Sequence, residues 1–152
     1  MSFRQRLARV APERETVVTI GVFDGVHQGH RHLLARLVEA AGTKYIPTVL
    51  TFSNHPITVL RSDIEVKAIT TPEEKARLLR EIGVGLVVSL EFTTELAQVS
   101  AADFSSLLVD SLGMKGLVLG PDTALGRNRE GDFDFLTKQG KDQGFWVESV
   151  TP

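Results

Sequence analysis

The chain has 152 residues, the size of one ordinary domain, with 42% hydrophobic and 24% charged residues and a formal net charge of −2. That balance excludes a disordered or membrane-spanning chain and gives no electrostatic ground for binding nucleic acid or a lipid surface. Cysteine is absent, which excludes disulfides, thiol catalysis and Cys-type zinc sites and fits a reducing, cytoplasmic setting.

The N-terminal stretch carries Arg4, Arg6, Arg9 and Arg14 and no signal-like apolar core. Thr16 to Phe23 is a continuous apolar run rich in Val, the pattern of a strand covered on both faces. A turn from Gly25 to Gly29 leads into a helix whose Leu33, Leu34, Leu37, Val38 and Ala41 recur at helical spacing, closed by Gly42. Tyr45 to Phe52 reads as a second strand, and Asn54 to Ile69 as a long functional loop. Thr71, Pro72 and Glu74 start a helix that runs to about Ile82 and stops at Gly83. Leu86 to Leu90 is a third strand. Ser100 and Asp103 start a helix carrying Phe104, Leu107, Leu108 and Leu112, which ends at Gly113. Gly116 to Gly120 is a fourth strand, Gly126 to Gly131 a charged loop, Asp132 to Gln143 a helix and Phe145 to Val150 a fifth strand. Strands alternating with helices predict a single α/β domain: a doubly wound, five-stranded parallel sheet with helices on both faces. In such a sheet the ligand sits outside the carboxyl ends of the strands.

The first strand-end loop is the most informative. It reads Gly21–Val22–Phe23–Asp24–Gly25–Val26–His27–Gln28–Gly29–His30 and opens a helix. Gly25 permits a tight turn, and Gly29 lets a ligand approach the backbone. His27 and His30, three apart at a helix start, project toward one side. Free N–H groups and the positive helix end there attract phosphate, and two imidazoles can stabilise charge that builds on it. A glycine turn with surface histidines would explain any one of these residues but not the ordered set. A zinc site on His27, His30 and His55 is a further alternative, although zinc pairs on helices are usually four apart with an acidic base. Trp146, Phe145 and Phe104 read as core.

This G-x-F-D-G-x-H-x-G-H pattern resembles the HxGH nucleotidylyltransferases, with their Rossmann-like fold. Three more segments are similar to the adenylyltransferase module of prokaryotic bifunctional riboflavin kinase/FMN adenylyltransferases: Leu50–Pro56, Thr71–Lys75 continuing to Gly83, and Gly120–Asp132. The resemblance spans about Thr16 to Val150. It implies ATP and FMN as substrates, FAD and pyrophosphate as products, and a magnesium requirement. By resemblance His27 and His30 hold the triphosphate, with Gly21, Val22, Phe23, Asp24, Gly25, Gly29, Gly120, Asp122 and Arg129 also on the nucleotide. Asp24 orients His27 or is a structural carboxylate. Arg127 reaches phosphate or is a solvated loop residue, and His32 points away from the site. Phe52, Asn54, His55, Pro56 and Leu125 correspond to the flavin side. Three positions there depart from the family: Asn54 replaces a proline, and Thr123 and Leu125 replace aromatic residues that could stack on the ring.

The family's module continues to an I-S-S-T-x-I-R segment that helps bind the triphosphate, and a riboflavin kinase domain usually follows. The sequence here stops at Thr151–Pro152. It is therefore expected to be a single nucleotidylyltransferase domain truncated before that motif, with the kinase domain a partner in the longer protein. The small-molecule partners expected are ATP and FMN, and neither nucleic acid nor a membrane is expected as a partner. The rival readings are another nucleotidylyltransferase, such as a cytidylyltransferase, and a non-catalytic flavin- or nucleotide-binding module.

Overall fold

The computed structural model describes residues 2–23, 28–54, 71–120, 126 and 131–150. In chain order the elements are α1 (Phe3–Val10), β1 (Thr16–Ile20), α2 (Gln28–Ala41), β2 (Ile46–Phe52), α3 (Pro72–Ile82), β3 (Leu86–Leu90), α4 (Thr94–Ala97), α5 (Ala101–Leu112), β4 (Met114–Leu119), α6 (Phe133–Gln143) and β5 (Trp146–Ser149). The five strands form one sheet in the order β3-β2-β1-β4-β5, and every neighbouring pair is parallel. The expected doubly wound α/β sheet is the observed one.

Helix starts follow their local chemistry. Thr71, Ser100 and Asp132 each accept a hydrogen bond from the main-chain N–H three residues on, at 3.1, 3.1 and 2.9 Å. Gly83, Gly113 and Gly144 close the same helices in the left-handed conformation. Two helices lie outside the sequence-based expectation. Ser2 and Gln5 form a reciprocal capping box that starts α1, and Thr93 caps the single turn of α4.

β1 is central, and all five of its residues are buried. Its buried Thr16 hydroxyl donates to the Leu112 carbonyl at 3.1 Å, so the polar atom is satisfied. Helices cover the two faces separately. Leu33, Leu34, Leu37 and Ala41 of α2 and Leu79 of α3 pack with Val17, Val49 and Val118 on one face. Phe3 and Leu7 of α1, Phe104, Leu108 and Leu112 of α5, and Leu136 of α6 pack with Val18, Ile20, Leu50 and Leu117 on the other. The chain thus leaves β1 toward one face and β4 toward the opposite face. In open α/β sheets a ligand crevice lies at such a reversal, here between the carboxyl ends of β1 and β4. An ion pair ties α2 to the edge strand: Arg36 donates twice to the Glu148 carboxylate, at 2.6 and 2.7 Å. The Glu148 bond holds the guanidinium above its usual pKa.

Leu34 is fully buried on the α2 face. Truncation to Ala should lower the free energy of unfolding by roughly 2–5 kcal/mol, through lost transfer energy and the cavity left behind. Denaturant titration should show a lower midpoint with an unchanged slope.

Candidate active site

The crevice begins where β1 ends. Sequence alone extends the strand to Phe23, but it stops at Ile20, because the chain turns inward there. Phe23 adopts φ +53° while only 3% exposed. A bulky residue in the left-handed region costs on the order of 1–3 kcal/mol and persists only where its surroundings hold it. Gly21 explains how the ring fits: a Cβ at that position would lie 2.8 Å from the Phe23 ring. The Gly21 N–H donates to the Leu50 carbonyl at 3.1 Å, keeping the root of the loop beside β2.

The Phe23 ring then meets His30 edge-on, with centroids 5.0 Å apart and planes at 72°. His30 is the third residue of α2 and half-buried. Gly29 precedes it in the same first turn, where the backbone N–H groups have no partner within the helix. His32 is exposed, as expected of a residue pointing elsewhere. Gly120 follows β4 directly and is buried. β1 and β4 pair Val18 with Leu117, and that register carried forward sets Gly21 level with Gly120. Gly21, Val22, Phe23, Gly29, His30 and Gly120 therefore share the carboxyl edge of two adjacent strands. Asp24, Gly25, His27, Asp122 and Arg129, with Arg127 beside them, lie outside the described residues.

On the neighbouring side, Phe52 ends β2 and meets Phe92 edge-to-face at 5.4 Å and 87°. The Asn54 side chain donates to the Phe92 carbonyl at 2.9 Å and accepts from the Phe92 N–H at 2.8 Å. Its amide is thus engaged with the loop after β3. His55, Pro56 and Leu125 lie outside the described residues, and so does Thr123. Gly126 is described: it adopts φ +79°, and a Cβ there would lie 2.6 Å from the Ala101 Cα at the start of α5.

Sequence reading named Lys75 only as the end of the Thr71–Lys75 segment, with no role of its own, and did not name Phe92. Lys75 is 7% exposed. Its ammonium donates to the Val22 carbonyl at 2.8 Å, the Thr51 hydroxyl at 3.0 Å and the Phe52 carbonyl at 3.0 Å. The available signal was its place four residues before buried Leu79, on the apolar stripe of α3. Among the described residues no three His, Cys, Asp or Glu side chains converge on a metal position.

A sequence profile of the FAD synthetase family matches residues 10–152. The chain belongs to the FAD synthetase family. It is 40% identical over 142 residues to the bifunctional riboflavin kinase/FMN adenylyltransferase of Escherichia coli (strain K12), covering 92% of this chain and 45% of that protein. The Pseudomonas fluorescens protein of the same name is 40% identical over 153 residues, covering 99% of this chain and 49% of the relative. A Listeria monocytogenes FAD synthetase is 32% identical over 145 residues, 95% of this chain and 59% of its own length. The chain thus spans about half the length of the bifunctional relatives. Among solved structures, a macrolide-efflux protein from Streptococcus pneumoniae superposes with a TM-score of 0.81 at 25% identity, over 96% of this chain and 48% of that one. Among the described residues no helix is long and apolar enough to cross a membrane.

Gly21→Ala should displace the Phe23 ring, since the new methyl meets it 2.8 Å away. The His30 ring protons should shift in an NMR spectrum as the edge-on aromatic contact changes. Stability should fall by about 1–3 kcal/mol, the usual cost of overpacking.

Proposed function

We propose that this domain transfers the adenylyl group of ATP to FMN, forming FAD and releasing pyrophosphate. The observation that carries this reading is the start of α2, set at the carboxyl end of central β1, with His30 held against the strained Phe23. An FMN phosphate oxygen attacks the α-phosphorus of ATP. The new P–O bond forms as the bond to the bridging oxygen of the β-phosphate breaks, and that electron pair leaves with pyrophosphate. Alignment and charge neutralisation supply most of the catalysis in such a displacement. The backbone N–H groups of the first α2 turn and the His30 imidazole would bind triphosphate oxygens. His27 of the same motif would share that task. Magnesium enters this reading as the counter-ion carried by ATP, since it commonly keeps its waters and is held through substrate phosphates.

Phe52, Phe92 and the Asn54-held loop would wall the flavin. A cytidylyltransferase would share the helix start. The family match over residues 10–152 favours a flavin acceptor instead. The bifunctional names of the relatives support a riboflavin kinase as the partner that supplies FMN.

FMN fluoresces strongly and FAD weakly, so FMN with ATP and magnesium should dim as FAD forms, with pyrophosphate released in equal amount. The rate of this chain alone should be low beside the roughly 1 per second or more of ordinary enzymes, and should rise in the longer protein. In that longer protein His30→Ala should cost about 2–4 kcal/mol of transition-state stabilisation, while His32→Ala should leave turnover nearly unchanged. A protein that adenylylates another phosphate ester but not FMN overturns the flavin assignment. One that binds nucleotide without turnover in any length overturns the catalytic reading.

A further inference from the structure

Lys75 sits in the first turn of α3, on the stripe that also buries Leu79. An apolar residue would be the ordinary choice there, and a lysine is almost never this buried unless its ammonium is paired. Among the described residues three acceptors meet it: the Val22 carbonyl, the Thr51 hydroxyl and the Phe52 carbonyl, at 2.8, 3.0 and 3.0 Å. An ammonium carries three N–H bonds, so it can serve all of these oxygens at once. The Thr51 hydroxyl in turn donates to the Val22 carbonyl at 2.9 Å. The whole cluster joins the chain just past β1 to the end of β2.

The place of these carbonyls matters more than their number. The Val22 carbonyl belongs to the peptide unit that leads into Phe23. Fixing its oxygen fixes the plane from which Phe23 turns to φ +53°. That turn presses the Phe23 ring onto Gly21 and edge-on against His30. The Phe52 carbonyl belongs to the residue whose ring meets Phe92. One buried cation therefore anchors the root of the candidate triphosphate loop and the root of the candidate flavin wall. Charge-assisted bonds of this kind are stronger than neutral ones and suit a strained peptide that must not relax.

We infer that Lys75 is a positioning residue: it holds the Val22–Phe23 peptide so that Phe23 sets the His30 ring, and it keeps the two substrate sides in register. This rests on the adenylyltransferase reading of the site, and deepens it. Lys75 touches neither substrate in this account. A methionine of similar length would fill the same place on the stripe but leave these oxygens without their donor, so the substitution acts on their positioning as well as on stability.

The test compares Lys75→Met with Leu79→Ala, which weakens the same helix one turn away in the apolar core. Each variant and the unaltered chain is titrated with ATP and magnesium by calorimetry, its melting temperature is recorded, and the His30 ring protons are followed by NMR. Lys75→Met should weaken ATP binding about tenfold or more and move the His30 resonances. Leu79→Ala should melt earlier yet keep both the His30 shifts and the ATP affinity within about twofold. Wild-type behaviour in Lys75→Met, or equal losses in Leu79→Ala, overturns the inference. Should Lys75→Met fail to fold, Thr51→Val takes its place: it removes one acceptor of the ammonium and one donor to Val22. Displaced His30 resonances then support the inference, and unchanged ones overturn it. If the unaltered chain binds no ATP, the proposed function falls, and the His30 shifts in Lys75→Met alone decide the role of Lys75.

Discussion

Everything about the candidate site depends on β1 being hydrogen-bonded on both sides. It pairs with β2 over Thr16 to Ile20 and with β4 from Thr16 to Val18, and all five of its residues are buried. A strand so enclosed has only its ends free. The connections from β1 and β4 go to opposite faces, and in such sheets the carboxyl ends between them are where a ligand binds. The first residues past β1 must serve as turn, helix lead-in and crevice wall at once. That demand accounts for the glycine at position 21 and for the left-handed Phe23.

Strain at such a position needs a counterweight, and the structure supplies it locally. Phe23 is enclosed by the Gly21 backbone and by His30. The peptide before it receives hydrogen bonds from both Lys75 and Thr51. A loop free to rearrange would satisfy its backbone with water and lose the set of the imidazole. Preorganised donors avoid that reorganisation at the moment charge develops. Family membership and this arrangement support the same reading by separate routes. One compares residues along the whole chain, and the other concerns the mechanics of a few residues at one sheet edge.

Much of the fold was legible because its signals are local. The caps at Thr71, Ser100 and Asp132 act over three residues, and glycines end the same helices. The valine-rich run at β1 marked a strand with both faces covered. Helix α1 was hidden by its arginines, although Phe3, Leu7 and Val10 lay at helical spacing; only the surface offered by α5 shows which face is buried. The Gly21–His30 motif lies at the carboxyl edge of the sheet, between β1 and α2. It could not reveal that Phe23 would carry the strain, since that depends on contacts outside the segment. Asn54 shows the same limit. Its residue type suggested a changed flavin wall, but its pairing with Phe92 joins positions 38 apart and exists only once β2 and β3 are in register. The contacts of Lys75 were hidden for that reason too, since these acceptors come from two other strand ends.

The most direct test of this account is a crystal structure with a non-hydrolysable ATP analogue, magnesium and FMN. The account predicts the triphosphate at the Gly29–His30 helix start, level with Gly21 and Gly120, and the flavin on the side of Phe52 and Phe92, its phosphate facing the α-phosphorus. A nucleotide bound away from the carboxyl end of β1, or a triphosphate with no contact to the first turn of α2, would contradict it.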